Sequence, residues 1–154
     1  MIHVGPSSEA REAVHDRFAA AFARLSADAA ARLVIENDER WPLADVLPLA
    51  ERLSVPVVFD AFHHRLAPSL PGLDDRALVL RAAETWTPAD GRPEIHFSTQ
   101  EPGRRPGAHA ERLDLDAFAR FAAAVGDLPV DRVLEVKDKE RSVLRARRLL
   151  RAAA

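Results

Sequence analysis

The chain has 154 residues, 47% of them apolar, a net charge of −2 and no cysteine. That length suits one domain, residues 1–154, with a sizeable core. Without cysteine there are no disulfides or thiolate ligands, so any metal must be held by nitrogen and oxygen, and the near-neutral charge excludes a surface that grips polyanions all over.

The opening MIHVGPSSEA has no basic region followed by an apolar stretch, so no secretory signal is expected. No apolar run approaches the ~20 residues that span a bilayer, so no membrane partner is expected, and the lack of cysteine fits a reducing cytoplasm. Short β-type runs then recur along the chain: Ile2–Val4, Leu33–Glu36, Val55–Asp60, Ile95–Ser98 and Val133–Val136. After the first run, Ala10, Val14, Phe18, Ala21, Phe22 and Leu25 form one stripe of an amphipathic helix. Leu43, Val46, Leu47, Ala50 and Leu53 repeat the pattern after the second. Leu73–Trp86, Leu115–Val125 and Val143–Leu150 supply three more helical segments, and PSLPG and TPADGRP punctuate the units.

Strand and helix in regular alternation predict an α/β fold with a parallel sheet and helices outside it. Five βα units fit an open doubly wound sheet by length, since a closed barrel needs eight units and ~250 residues. The polar residues point the other way. Each run carries an ionisable residue at or near its C-terminal end: His3, Glu36, Asp60, His96 and Glu135. Neighbouring parallel strands lie roughly 4.8 Å apart, so these side chains can meet over one point. Three carboxylates gathered there need a cation, and imidazole with carboxylate suits Mn²⁺, Zn²⁺ or Fe²⁺ better than Ca²⁺. His63, three residues after Asp60, and His109, in the loop RRPGAHA, extend the candidate set.

Taken singly, each residue has a plainer reading. A carboxylate ending a strand commonly caps a turn or helix, and the pair His63–His64 reads as solvated loop histidines. His64 is read as a neighbour of the ligands, and His15 as a surface residue of the first helix. The basic stretch KDKERSVLRARRLLR reads as the solvated face of the last helix. Recurrence at corresponding strand ends is what favours the metal, because independent capping roles do not require it.

The phrases LVIENDE, VPVVFDAFHHRL, EIHFSTQ with its following GAHAE, and LEVKDKERSVLR resemble the UV-damage endonuclease family of UvdE type. Their order and spacing agree over essentially the whole chain. The resemblance implies a TIM-type barrel, here a partial one of about five βα units, whose mouth holds a divalent metal cluster. Manganese is the usual ion, with Zn²⁺ or Mg²⁺ also fitting, and the family cuts DNA 5′ of UV photoproducts. By position, Glu36 resembles the bridging carboxylate, and Asp60, His96 and Glu135 the remaining ligands of the second metal; these four form the catalytic set. His3 resembles a ligand of the first metal, and His63 and His109 ligands of the third. Charge and nearness in sequence make Arg65, Arg104, Arg105 and Lys137 candidate phosphate contacts, with Gln100 and Arg104 lining the groove.

Two departures stand out. Glu94, two residues before His96, occupies a position usually held by lysine; on a strand it shares a face with His96 and is read as an extra ligand or as added repulsion. The chain also opens at what resembles the barrel's fourth strand. The first three units are then expected from a second chain or from a longer version of this one. Two further readings stay open: a non-catalytic remnant that keeps metal or DNA binding, and a xylose-isomerase-like sugar isomerase on the same kind of barrel.

Overall fold

The computed structural model describes residues 1–6 and 8–152. Four parallel strands, β1 (Ile35–Glu36), β2 (Val57–Asp60), β3 (Glu94–Phe97) and β4 (Asp131–Leu134), lie side by side in chain order. A doubly wound sheet reverses its strand order at a switch point; this one does not, and its order is that of a barrel wall. The first expected run, Ile2–Val4, shrinks to a single parallel bridge between Ile2 and Ile35. Ile2 N–H donates to Val34 O and Ile2 O accepts from Glu36 N–H, both at 3.0 Å, so the segment occupies the place of a fifth strand without being one.

Helices connect the strands: α1 (Arg11–Phe22), α2 (Ala27–Ala30), α3 (Leu43–Leu53), α4 (Ala61–Leu66), α5 (Asp75–Ala83), α6 (Leu115–Val125) and α7 (Glu140–Ala152). α3 and α6 keep the bounds that the periodicity predicts, and the Asp114 carboxylate caps α6 by accepting from Ala117 N–H. α5 is shorter than the expected Leu73–Trp86, because Asp74 caps it and sets its start at Asp75. α7 begins earlier than expected and buries Ser142 and Ala146, while Val143 and Leu150 of the expected stripe are exposed. The arginines of its basic stretch lie on the solvated side, as read. His15 is not a plain surface residue: its ring lies 5.4 Å from that of the fully buried Trp41.

Alternation along the strands divides the two faces of the sheet. Ile35, Val57, Phe59, Ile95 and Phe97 point to the helices and join one core with residues of α3, α5 and α6. Phe97 anchors this side, stacked at 5.0 Å on Phe121 and edge-on at 5.4 Å to Phe118. The register pairs Glu36 with Val58 and Asp60 with His96. Their side chains therefore share the other face, the inside of the curved wall, and Glu135 joins them just beyond β4. One residue's slip in any strand would turn its inward polar side chain into the helical core.

Candidate metal centre

Glu36, Asp60, His96 and Glu135 each bring one donor atom into a group whose members all lie within 4.8 Å of one another. His96 is the hub. Its Nδ1 stands 2.5 Å from Glu36 Oε1, 3.5 Å from Glu135 Oε1 and 4.0 Å from Asp60 Oδ2. Glu36, Asp60 and His96 are buried, whereas the Glu135 side chain is 26% exposed, so the group opens to solvent on that side.

Asp60 does both things that its position suggested. Oδ1 accepts from His63 N–H at 2.7 Å, capping α4, and Oδ2 turns into the cluster. The cap also corrects the loop reading of His63–His64, since both lie on this short helix. Burial raises the pKa of Asp60, against the cap and the positive charge of His63 and with the repulsion of Glu36. Burial likewise raises that of Glu135. Burial pulls the His96 imidazolium down, but the adjoining carboxylates of Glu36, Glu94 and Glu135 overcome it and lift the pKa to about 9.

Whether this group suits a cation is answered by its unsatisfied atoms. Despite the short approaches, Glu36 Oε1, Asp60 Oδ2 and His96 Nδ1 are all buried and have no hydrogen-bond partner. Buried polar atoms are costly unless paired, and these three converge on one point. A divalent ion would satisfy all of them, and a nitrogen–oxygen donor set fits Mn²⁺, Zn²⁺ or Fe²⁺.

The other predicted histidines flank the group. His3 Nε2 lies 3.4 Å from Glu36 Oε2 and His109 Nδ1 3.4 Å from Glu135 Oε2. Glu36 and Glu135 thus each turn one oxygen to His96 and the other to a rim histidine. His63 continues the row, with its ring 6.1 Å from that of His3 and 5.6 Å from that of His109. These three do not enter the central group.

The candidate DNA contacts divide. Arg104 and Arg105 are exposed on a loop whose base is pinned where Gln100 bridges to His109, beside the cluster. Lys137 is exposed but paired with Glu111 at 2.9 Å. Gln100 braces that loop: its amide donates to Glu101 O and Arg105 O and accepts from Gly107 N–H, and it also lines a cleft with Arg65 and Thr99. Arg65 lies over the rings of Phe97 and Phe121 and lines the same cleft as Gln100 and Ser98.

The family described as UV-endonuclease UvdE matches residues 1–153. The chain belongs to that family. It is 34% identical over 147 residues to a putative UV-damage endonuclease of Acanthamoeba polyphaga mimivirus, covering 94% of this chain and 44% of the relative. It is 34% identical over 152 residues to the UV-damage endonuclease of Schizosaccharomyces pombe, covering 93% and 24% respectively. The crystal structure of SacUVDE superposes with a TM-score of 0.88 at 38% identity, over 99% of this chain and 50% of that one. The chain therefore spans half or less of the length of these UvdE relatives, and its sheet is a partial wall of their TIM-type fold.

Three functional neighbours escape a reading of the sequence. Asn37, buried, clamps the end of β2: its Oδ1 accepts from Asp60 N–H at 2.9 Å and its Nδ2 donates to Asp60 O at 3.0 Å. Asp38 lies 3.3 Å from His3 Nδ1, and Glu39 3.2 Å from His63 Nδ1. The signal for them is the unbroken polar run ENDE directly after a buried strand, of which strand-end position singles out Glu36 alone.

Proposed function

We propose that this chain carries the metal-holding part of an endonuclease that nicks DNA at UV lesions. The convergence of Glu36, Asp60, His96 and Glu135, with three orphaned donor atoms facing one point, is the observation that carries the reading. The names of its relatives supply the substrate class. Glu36 and Glu135 would hold ions between them, Asp60 and His96 would complete the central site, and His3, His63 and His109 would serve flanking ions. Mn²⁺ is the first candidate, then Zn²⁺ or Mg²⁺. A divalent ion bound there supplies charge against the phosphoryl oxygens and acidifies water for attack on phosphorus.

The protein's own residues do the rest. Burial of Glu36 and Asp60 excludes competing water from behind the site, and Asn37 fixes the strand end that aims Asp60. Partly exposed Glu135 marks the side on which a phosphodiester enters. Arg104 and Arg105 meet the backbone phosphates beside it, with Lys137 available when its pair with Glu111 opens. Among the described residues the wall's edges, at Ile2 and at β4, pair with no further strand, which leaves backbone groups for strands from a longer version of this chain or from a partner. No helix among the described residues is long and apolar enough to cross a membrane, and we place the activity with DNA in the cytoplasm.

A second reading is metal or DNA binding without cleavage, which the converging donor group supports by itself. Nicking of UV-irradiated supercoiled plasmid with Mn²⁺ decides between them. The endonuclease reading expects lesion-dependent nicks that Glu36→Gln abolishes. A gel shift without nicking supports the binding-only reading, and equal nicking by both proteins overturns the assignment of the site.

A further inference from the structure

Glu94 begins β3, two residues before His96 on the same strand face. Its Oε1 lies 2.9 Å from His96 Nε2. That nitrogen is on the far side of the ring from Nδ1, the atom that faces Glu36, Asp60 and Glu135. Glu94 is accordingly no member of the converging group of four.

We propose that Glu94 is a positioning residue that fixes the tautomer and tilt of His96, so that Nδ1 is the nitrogen presented to a cation. The proposal rests on the reading that Glu36, Asp60, His96 and Glu135 hold a divalent ion. With the Glu94 carboxylate as acceptor, the 2.9 Å contact holds the ring's proton on Nε2. With Nε2 protonated, a neutral ring keeps its lone pair on Nδ1, directed at the three carboxylates.

A carboxylate behind a ligating histidine also makes the ring a stronger donor, because it stabilises the positive charge that the ring takes on when the cation binds. Glu94 therefore bears on how His96 is held. It does not add a ligand, since the imidazole ring stands between Glu94 and the point where the other donors meet.

The test is Mn²⁺ titration by calorimetry of the chain, its isosteric variant Glu94→Gln and Glu94→Ala, with nitrogen NMR of the histidine rings after Zn²⁺ loading. Binding is expected to weaken about 10–100-fold in Glu94→Ala and less in Glu94→Gln, whose amide oxygen still accepts but lacks charge. The number of ions bound should not change. The Zn²⁺-loaded wild type should show a slowly exchanging Nε2–H on His96 that Glu94→Ala loses. Equal affinity in all three proteins would overturn the positioning role, and loss of one equivalent of ion would make Glu94 a ligand instead. A wild type that binds no ion would overturn the parent reading of the site, a result distinct from either.

Discussion

His96 Nδ1 and Glu36 Oε1 approach to 2.5 Å without a well-directed hydrogen bond, and both atoms stay unsatisfied inside the protein. Without a cation the imidazolium itself must offset the surrounding carboxylates, which is why its pKa rises to about 9. An unfolded histidine titrates near ~6.5. The folded state then binds the proton more tightly, so this stabilisation is complete below ~6.5 and is lost as pH rises through about 9. In EDTA, the melting temperature should fall between about pH 6.5 and 9.5, and His96→Gln should flatten that slope. A melting temperature that holds or rises over this window would contradict the electrostatic account.

The exposed Arg104 and Arg105 sit on the loop braced by Gln100, beside His109. If they bind backbone phosphates, replacing both with alanine should lower the slope of log K against log salt. The expected change on duplex DNA is about 0.9 for each phosphate that is no longer neutralised. Arg65, held over the rings of Phe97 and Phe121, should leave the slope alone when replaced with alanine. Fluorescence anisotropy over a salt series measures both.

Gly107 has φ +81°, and a Cβ there would fall 2.5 Å from Glu39 Oε1. Gly107→Ala therefore carries a left-handed backbone penalty of about 1–2 kcal/mol and pushes Glu39 off His63, its neighbour at 3.2 Å. Amide exchange should quicken across residues 101–109 while β2 and β3 keep their protection. Unchanged exchange in the loop would show that Glu39 yields without cost.

How much of this is legible in the sequence differs by residue. Glu36, Asp60, His96 and Glu135 can be read because each lies at or near the end of an apolar run, and parallel strands of similar length bring such ends together. The barrel wall follows from those ends and from the resemblance, where length alone favours an open sheet. Ile2–Val4 reads as a strand by composition, but only one of its residues forms a ladder bridge. α4 is hidden because its cap, Asp60, also looks like a strand terminus, and six residues are too few to show a helical period. Nearness to Asp60 along the chain does not say which neighbours the Arg65 side chain joins. Its stacking on Phe97 and Phe121 depends on packing that no local pattern encodes. Asn37 is missed because its role is to clamp the backbone of a residue 23 positions away.

Phe121 tests the layer that supports the site. It is 1% exposed and stacks on Phe97, the residue that follows His96. Phe121→Ala should cost about 3–5 kcal/mol in chemical denaturation. It should also weaken metal binding less than it weakens folding, because the ligands hang from the opposite face of the sheet. A cost under about 1 kcal/mol would mean that this aromatic layer does not hold the wall together.

The central claim is that four side chains from four successive strand ends share a divalent ion. Anomalous diffraction from crystals grown with Mn²⁺ addresses it directly. The account predicts a peak within bonding distance of Glu36, Asp60, Glu135 and His96 Nδ1. A map with no peak among them, or with manganese bound only elsewhere on the chain, would contradict it.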